Sequence, residues 1–533
     1  MPPCVIFEDE HLLVVNKPAG WNTHAPSPFA GEGIYDWLRH REPRWATLAI
    51  VHRLDKETSG VMVFGKTPLA NRSLTEQFTA RTVRKQYLLL TNREPKRRKL
   101  TVKSRIARAG DRYASRPDGE LAETKFEVQS PKSEIRSQSD SSGIECCEVV
   151  AEPLTGRTHQ IRVHAAEQGF PILGDTLYGG ASFHRVCLHA VELTFQHPAT
   201  GELLTLNAPA DFNAPVSDCL RRAIIESEAT NAYRLIHGAS DGWPGWYVDR
   251  LGAFHLSQSE RELTAAQRQH LERMSGVSTI YHKILSRQVR TASASATSPK
   301  LIRGEAAPSR FTIRENGVSF ELSFDEGYST GLFLDQRDNR RRFLTVHVAA
   351  NFPHSAPRTK LRMLNLFAYT CGFSVCAALG GAHTTSLDLS KKYLEWGRRN
   401  FALNHLDPAS HDFIYGDAFD WLRRLAKKGR AFDVIALDPP TFSQSKEGGA
   451  FRAEKDYGKL VMAAMPVLEQ NGVLFSSTNA AEWKPEAFLQ TVRESVASAK
   501  RRVEQEQYFP QPPDFPISRG EPGYLKTVWL RIS

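Results

Sequence analysis

Apolar residues along the 533-residue chain change their spacing several times, and each change marks an element. Val5, Ile6 and Phe7, then Leu12 to Val15, make two apolar runs around an acidic turn, which predicts a short strand pair. Asn16-Lys17-Pro18-Ala19-Gly20 follows as a turn, because proline fixes φ and glycine permits positive φ. The runs 48–51 and 61–64 flank His52-Arg53-Leu54-Asp55-Lys56-Glu57-Thr58-Ser59-Gly60. A tight connection between two strands thus presents an arginine, a carboxylate and two hydroxyls. Residues 69–81 predict a helix with Leu69, Leu74 and Phe78 on one stripe. Arg84 to Leu90 predicts a strand carrying Lys85 and Tyr87 on one face. The serine-rich stretch 131–143 has no period and is expected to be an exposed loop. From Leu154 to His164, alternation puts Thr158, Gln160 and Arg162 on one face and His159, Ile161 and Val163 on the other.

From about residue 215 the texture changes. Asp241-Gly242-Trp243-Pro244-Gly245-Trp246 reads as a hairpin whose aromatics suit a packed turn better than a stacking platform for bases. Residues 292–300 read as a Ser/Ala-rich loop, 311–324 alternate like strands, and 327–340 open a helix with Asp335 as N-cap. The last third alternates strand and helix. Strands are expected at 363–367, up to Asp388, near Phe413 and Ile414, and at 434–437, with a helix from Gly372 through Leu379. That order predicts a doubly wound parallel sheet. Asp388 stands about twenty residues beyond the first strand, as a carboxylate that grips ribose hydroxyls would. The first turn lacks G-x-G-x-x-G, which disfavours a dinucleotide. After the fourth strand, Asp438-Pro439-Pro440-Thr441-Phe442 fixes a carboxylate on a stiff turn beside an aromatic.

Composition changes this picture only in part. A hydrophobic content of 41% and a charged content of 24% allow buried cores in roughly three or four domains. No apolar run is long enough to span a bilayer, and seven cysteines without a C-x-x-C pair argue against disulfides or a zinc cluster. His159 and His164 lack a third ligand cluster, so no metal is expected. A reducing, cytoplasmic setting follows. The net charge of +10 favours an anionic partner such as nucleic acid. The number of copies in an assembly is not readable.

Local chemistry leaves Asp55 open as nucleophile, general base or ion pair. As a string, His-Arg-Leu-Asp-x-x-Thr-Ser-Gly resembles the signature loop of the RluA-type pseudouridine synthases, with Asp55 at the catalytic aspartate. Asn-Lys-Pro-x-Gly, Arg84 to Leu90 with Tyr87, and the Gly156-Arg157-Thr158-His159-Gln160 string are similar to that family's other motifs. The resemblance implies a cofactor-free isomerisation by Asp55, with Tyr87 beside it and Arg157 pairing with Asp55 to keep it ionised. Arg53 would fill the gap left by an extruded base, and Lys17 and His52 would contact RNA. The Thr230 to Leu235 block, Phe333-Leu334-Asp335-Gln336-Arg337-Asp338 and Asp-Pro-Pro-Thr-Phe resemble large-subunit rRNA methyltransferases of the RlmI and RlmK group. This implies S-adenosylmethionine, which has no pyrophosphate to cradle, held by Asn365, Phe367, Tyr369, Thr370, Gly372, Asp388, Asp417, Asp438 and Pro439. Asp438 would also act on a base stacked by Phe442. Residues 474–479 contain no cysteine, which disfavours 5-methylcytosine chemistry and favours a ring nitrogen such as guanine N7.

The expected architecture is multidomain α/β. Residues 1–213 form an α+β synthase with a mixed, largely antiparallel sheet, and 214–322 a small α+β linker or RNA-binding domain. Residues 323–533 form a Rossmann-like doubly wound methyltransferase. The expected function is a bifunctional enzyme acting on large-subunit rRNA; the alternatives are one catalytic half with the other as an RNA-docking module, or a methyltransferase that makes 5-methylcytosine.

Overall fold

A computed structural model describes residues 1–137, 140–274, 276, 279–285, 298–326, 329–347, 361–445 and 449–533. The chain divides into two compact units, one made mostly of residues 1–226 and the other mostly of 227–533.

In the first unit, strands β1 (Val5–Glu8), β2 (Leu12–Lys17), β3 (Ala49–Ile50), β4 (Ser59–Gly65), β5 (Arg84–Thr91), β6 (Lys99–Ala109), β7 (Arg112–Ser115), β8 (Glu120–Ser137), β9 (Asp140–Pro153), β10 (Leu188–Gln196) and β11 (Leu203–Asn207) share one sheet. Its order is β1-β2-β4-β10-β5-β9-β8-β6-β7, with β11 on β10 and β3 on β4. Only β4 and β10 pair in parallel, and there Gly60 is required: a Cβ would stand 2.3 Å from the Ala190 carbonyl oxygen. This parallel contact sets the end of β4 beside the Asp55 loop.

The helix Pro68–Thr79 forms as expected, capped by Thr67 with proline in its first turn. Its buried stripe is Ala70 and Leu74, while Leu69 is exposed. Residues 70 and 74 are one helical turn apart, whereas 69 and 74 are not. Residues 131–143, expected as a loop, extend the β8–β9 hairpin instead, with Ile135 opposite Ile144; residues 138–139 lie outside the described residues. The predicted strand through His159 is a loop followed by the helix Gln160–Glu167. Every residue from Gln160 to Ala165 is buried, so the apolar spacing there carries no period to distinguish a strand from a helix.

The second unit contains a five-stranded sheet of β12 (Ala232–His237), β13 (Trp246–Leu251), β14 (Phe254–Ser259), β15 (Thr279–Ile284) and β16 (Lys300–Arg303). The β12–β13 hairpin is a packed turn: Trp246 is fully buried, with Trp243 edge-on at 4.8 Å. Residues 292–297 of the expected Ser/Ala loop lie outside the described residues. A hairpin of β17 (Phe311–Glu315) and β18 (Val318–Leu322) follows. Asp335 is not an N-cap. It sits within a 3-10 turn, Leu334–Gln336, that runs into the helix Arg337–Leu344, and its carboxylate accepts from the Tyr524 hydroxyl at 2.9 Å.

A seven-stranded sheet has strands β19 (Arg362–Leu366), β20 (His383–Asp388), β21 (Asp412–Tyr415), β22 (Phe432–Leu437), β25 (Leu468–Thr478), β26 (Val503–Phe509) and β27 (Lys526–Ile532), ordered β21-β20-β19-β22-β25-β27-β26. The first five run parallel, as expected, but β27 runs antiparallel to both neighbours. No helix joins β26 to β27, and a parallel neighbour needs such a crossover. The intervening β23 (Phe442–Ser445) and β24 (Gly449–Arg452) form a separate hairpin. Among the described residues no helix is long and apolar enough to cross a membrane.

Candidate active sites

In the first unit, the loop between β3 and β4 is tied down along its length. Thr23 Oγ1 accepts from the Leu54 amide (3.2 Å) and pairs with its carbonyl, and the Gly20 amide donates to Lys56 O at 2.8 Å. Lys17 is fully buried and donates to the carbonyls of Pro18 (3.0 Å), Trp21 (2.7 Å) and Lys56 (3.3 Å). Burial lowers its ammonium to about 7. The expected RNA contact by Lys17 is therefore corrected: its charge is spent holding the loop that carries Asp55. His52 is corrected likewise. Its Nε2 accepts from the Val63 amide (3.1 Å), its ring stacks on Phe78, and burial lowers it to about 3, so it is a neutral wall and offers no charge to a phosphate.

These elements line a cavity of about 820 Å³ that contains Asp55, Arg53, Lys85, Tyr87, Arg157, His159 and Arg162. Burial raises the Asp55 carboxyl, while His159, Arg162 and Arg53 pull it down. Arg162 is held by Asp175 through two bonds (2.7 and 2.8 Å) and by Glu57 at 3.3 Å. His159 has left-handed backbone (φ 55°) and bonds the Tyr178 hydroxyl through Nδ1 at 2.8 Å. Left-handed backbone outside glycine costs energy and is held by its surroundings. Arg157, expected to pair with Asp55, turns instead to the Glu120 carboxylate and the Leu121 carbonyl. The loop ahead of the helix carries its guanidinium to the rim, and the cation facing Asp55 comes from the buried Arg162, beside a His159 imidazole that burial shifts below its ordinary value. Arg53 is exposed and donates to Thr158 Oγ1 at 2.7 Å. Tyr87 is braced by β9 and β10, and burial with the Asp55 charge raises its phenol, so it is neutral at physiological pH. Arg162 and His159 were visible in the sequence, but strand-like alternation placed them on opposite faces.

In the second unit, the turn after β19 is strained: Phe367, Tyr369 and Cys371 have φ of 58°, 49° and 63°. Asp388 holds this turn, accepting from the Tyr369 amide at 2.8 Å and from the Ser390 amide at 2.8 Å. Thr370 Oγ1 donates to Gly331 O, and the Asn400 amide supports the Thr370 carbonyl. Gly372 begins the next helix. Asn365 lies buried beneath the turn, with Nδ2 on Ser374 Oγ at 2.9 Å and Oδ1 without a protein partner. Asp417 caps the helix Ala418–Lys427. Asp388 keeps lone pairs to spare beyond its two amides, and the orphaned Asn365 oxygen adds acceptor capacity. An unbroken acceptor set at strand ends, with no phosphate cradle, fits a nucleoside carrying an amino-acid tail rather than a dinucleotide.

Asp438 directly follows β22 and precedes the buried Pro439. Its carboxylate accepts from Gln336 Nε2 at 3.3 Å and is bonded by Ser477; burial raises it to about 6. The buried Tyr457 hydroxyl lies between the carbonyls of Leu437 (3.1 Å) and Ser477 (3.0 Å), locking the ends of β22 and β25 together. Phe442 is half-buried at the start of β23. Gln336 and Tyr457 were missed as site residues: Gln336 falls inside a recognisable block, whereas nothing local marks Tyr457. Cys371 and Cys376 are buried, and burial raises the Cys371 thiol to about 12.

Comparisons with known proteins match these two sites separately. Residues 11–167 match the RNA pseudouridylate synthase family, and residues 234–530 match the S-adenosylmethionine-dependent methyltransferase family. A ribosomal RNA large subunit methyltransferase of Deinococcus radiodurans is 35% identical over 314 residues, covering 57% of this chain and 73% of the relative. Ribosomal RNA large subunit methyltransferase I of Escherichia coli is 32% identical over 323 residues, covering 58% and 76%. The crystal structure of SMU.776, described as a methyltransferase complexed with SAH, is 28% identical, covers 64% of this chain and 88% of that one, and has a TM-score of 0.51. The chain belongs to the S-adenosylmethionine-dependent methyltransferases and carries, ahead of that domain, a pseudouridine synthase domain of the RluA type.

Proposed function

We propose that this chain is a two-site RNA-modifying enzyme acting on large-subunit rRNA. Its N-terminal site isomerises uridine to pseudouridine, and its C-terminal site methylates a base at a ring nitrogen, guanine N7 being favoured. The rRNA substrate is supported by the names of the relatives and by the net charge of +10. We assign the synthase to residues 1–213, a small α+β domain to 214–322 and the methyltransferase to 323–533. The helix Val216–Ile224 packs within the first unit, so the working boundary lies nearer 226.

In the synthase, Asp55 is the nucleophile toward the uridine, at its sugar or its base. The N1–C1′ glycosidic bond breaks, the uracil turns and reattaches through C5, the bond to Asp55 is released, and the proton lost from C5 is matched by one gained at N1. His159, Arg162 and Arg53 offset the burial of Asp55 and favour its charged form. Tyr87 is a neutral phenol beside Asp55, which supports stacking on the base over accepting the C5 proton. A base in a duplex must first be extruded at a cost of a few kcal/mol, and the exposed Arg53 is placed at the rim to occupy the gap. No cofactor is assigned to this site.

In the methyltransferase, S-adenosylmethionine supplies an electrophilic methyl on sulfur. Asp388, the 367–372 turn and Asp417 hold the cofactor at the strand ends, and Asp438 accepts hydrogen bonds from the donor edge of the target base. Phe442 packs against the base, and positioning supplies most of the rate. The observation that carries the ring-nitrogen reading is that, among the described residues of the methyltransferase domain, no thiol is exposed. Residues 474–479 have no cysteine, and Cys371 and Cys376 are buried. A 5-methylcytosine enzyme needs a thiolate to add to the ring.

The test is nucleoside mass spectrometry with site mapping on rRNA from cells lacking the gene, complemented by wild type, Asp55→Asn or Asp438→Ala. Each variant is expected to lose a different mark, one pseudouridine and one N-methylated base. A C-methylated cytosine restored by the wild type would overturn the ring-nitrogen reading. Full restoration by Asp438→Ala would leave the C-terminal half as a docking module.

A further inference from the structure

Gln336 sits in the 3-10 turn ahead of the helix Arg337–Leu344 and is 3% exposed. Its Nε2 reaches Ser477 Oγ at 2.8 Å and Asp438 Oδ2 at 3.3 Å. A hydroxyl neighbour alone would not define which way the amide points, since a hydroxyl both donates and accepts. The far side defines it. Trp529 Nε1 and Arg342 Nη1 both donate to Asn339 Oδ1, at 3.1 and 3.0 Å. Indole and guanidinium are donors only, so Asn339 turns its oxygen to them and its Nδ2 toward Gln336 Oε1, at 2.7 Å. Gln336 is then left with N–H groups for Asp438 and Ser477.

We propose that Gln336 is a positioning residue for methyl transfer. The relay from Trp529 and Arg342 through Asn339 fixes its polarity so that a neutral donor always faces Asp438. That donor, 3.3 Å from Oδ2, favours the charged carboxylate and fixes the angle at which it meets the base. The inference rests on the reading of Asp438 as the acceptor for the base. Besides Gln336 and Ser477, the charged groups facing Asp438 are Asp335, which disfavours its charge, and Arg340, which favours it; the Tyr457 phenol lies behind.

The decisive variant is Asn339→Asp in the full chain. The new carboxylate still accepts from Trp529 and Arg342 but cannot donate. Gln336 must therefore turn its NH2 toward position 339 and its carbonyl toward Asp438. A second variant, Gln336→Met, removes the donor outright. Asp438 is titrated directly by NMR of ¹³Cγ-labelled aspartate, assigned by Asp438→Asn. Tritiated methyl transfer to large-subunit rRNA from cells lacking the gene is followed in parallel, with Asp438→Ala as control. Losing a hydrogen bond to a charged group is expected to raise the Asp438 titration by about one pH unit. Methyl transfer at pH 6 should fall about fivefold and recover at pH 8.5, since a carboxylate about half ionised at pH 6 becomes roughly one-tenth ionised when its titration moves up by one unit. An unshifted titration in a variant that melts like wild type overturns the inference, and so does a drop in rate that is the same at both pH values. Methyl transfer surviving in Asp438→Ala overturns the underlying reading of Asp438, whatever the titration shows.

Discussion

Asp55 and Asp438 are both carboxylates beside strand ends, and burial raises both, but their surroundings offset that burial differently. Around Asp55 the compensation is largely charge: the Arg162 and Arg53 guanidiniums face it across an open cavity, beside a His159 imidazole that burial shifts below its ordinary value. Around Asp438 it includes neutral donors, the Gln336 amide and the Ser477 hydroxyl, set by a network of fixed polarity. The difference matches the work assigned to each. A nucleophile benefits from nearby positive charge that stabilises the ionised reactant. A hydrogen-bond acceptor for a base benefits from being held at one angle, which neutral dipoles do without adding a counter-charge that competes for it.

The largest expected effect breaks one side of this comparison outright. Asp55→Asn should abolish pseudouridine formation while methyl transfer by the same chain proceeds at the wild-type rate, measured on the two marks in one rRNA preparation. Next comes Arg162→Gln. Arg162 and Asp175 are 3% and 1% exposed at their side chains, and breaking a buried pair costs roughly 3–5 kcal/mol because one charge is left uncompensated. The melting transition that accompanies loss of pseudouridine activity should fall accordingly. An unchanged transition would mean that Arg162 is not part of the scaffold around Asp55.

How much of this was legible in the sequence follows from where each feature is encoded. Asp55, Tyr87 and the Asp-Pro-Pro turn lie in contiguous strings, Asp388 stands at a readable spacing, and the parallel strands of the last third followed from its strand–helix alternation. Lys17 misled because a lysine in a turn looks solvated, and only the fold brings the carbonyls of Trp21 and Lys56 around it. Arg157 misled for a related reason. The loop ahead of the helix Gln160–Glu167 decides which arginine of the string reaches Asp55, and a fully buried helix start has no period to announce it. Gln336 acts through Asn339 and Trp529, the last being distant in the chain, so no local pattern specifies it. The antiparallel β27 follows from an absent crossover rather than from its own residues.

The two carboxylates should also differ in their response to pH. Asp438 titrates at about 6 and is an acceptor-only, charge-assisted partner for the base when ionised. Methyl transfer is therefore expected to be flat above about pH 7 and to fall tenfold per unit well below 6, read from initial rates of tritium transfer. The fall is not unfolding driven by this group. Its folded value lies above the ordinary 3.8, so it favours the folded state at low pH and loses that contribution as pH rises through 6.

The smallest expected effect sharpens the synthase side. Arg157 pairs with Glu120, which is 70% exposed at its side chain, and an exposed pair contributes about 0–1 kcal/mol. If Arg162 and His159 offset the burial of Asp55, Arg157→Gln should leave the melting temperature nearly unchanged and lower pseudouridine formation by less than tenfold. It should do so through weaker RNA binding, visible as a higher KM and a shallower dependence on salt, because a rim cation neutralises phosphate. If kcat collapses instead with KM unchanged, Arg157 swings from Glu120 onto Asp55 when RNA binds. The cations that keep Asp55 charged would then be assembled by the substrate rather than built into the free protein.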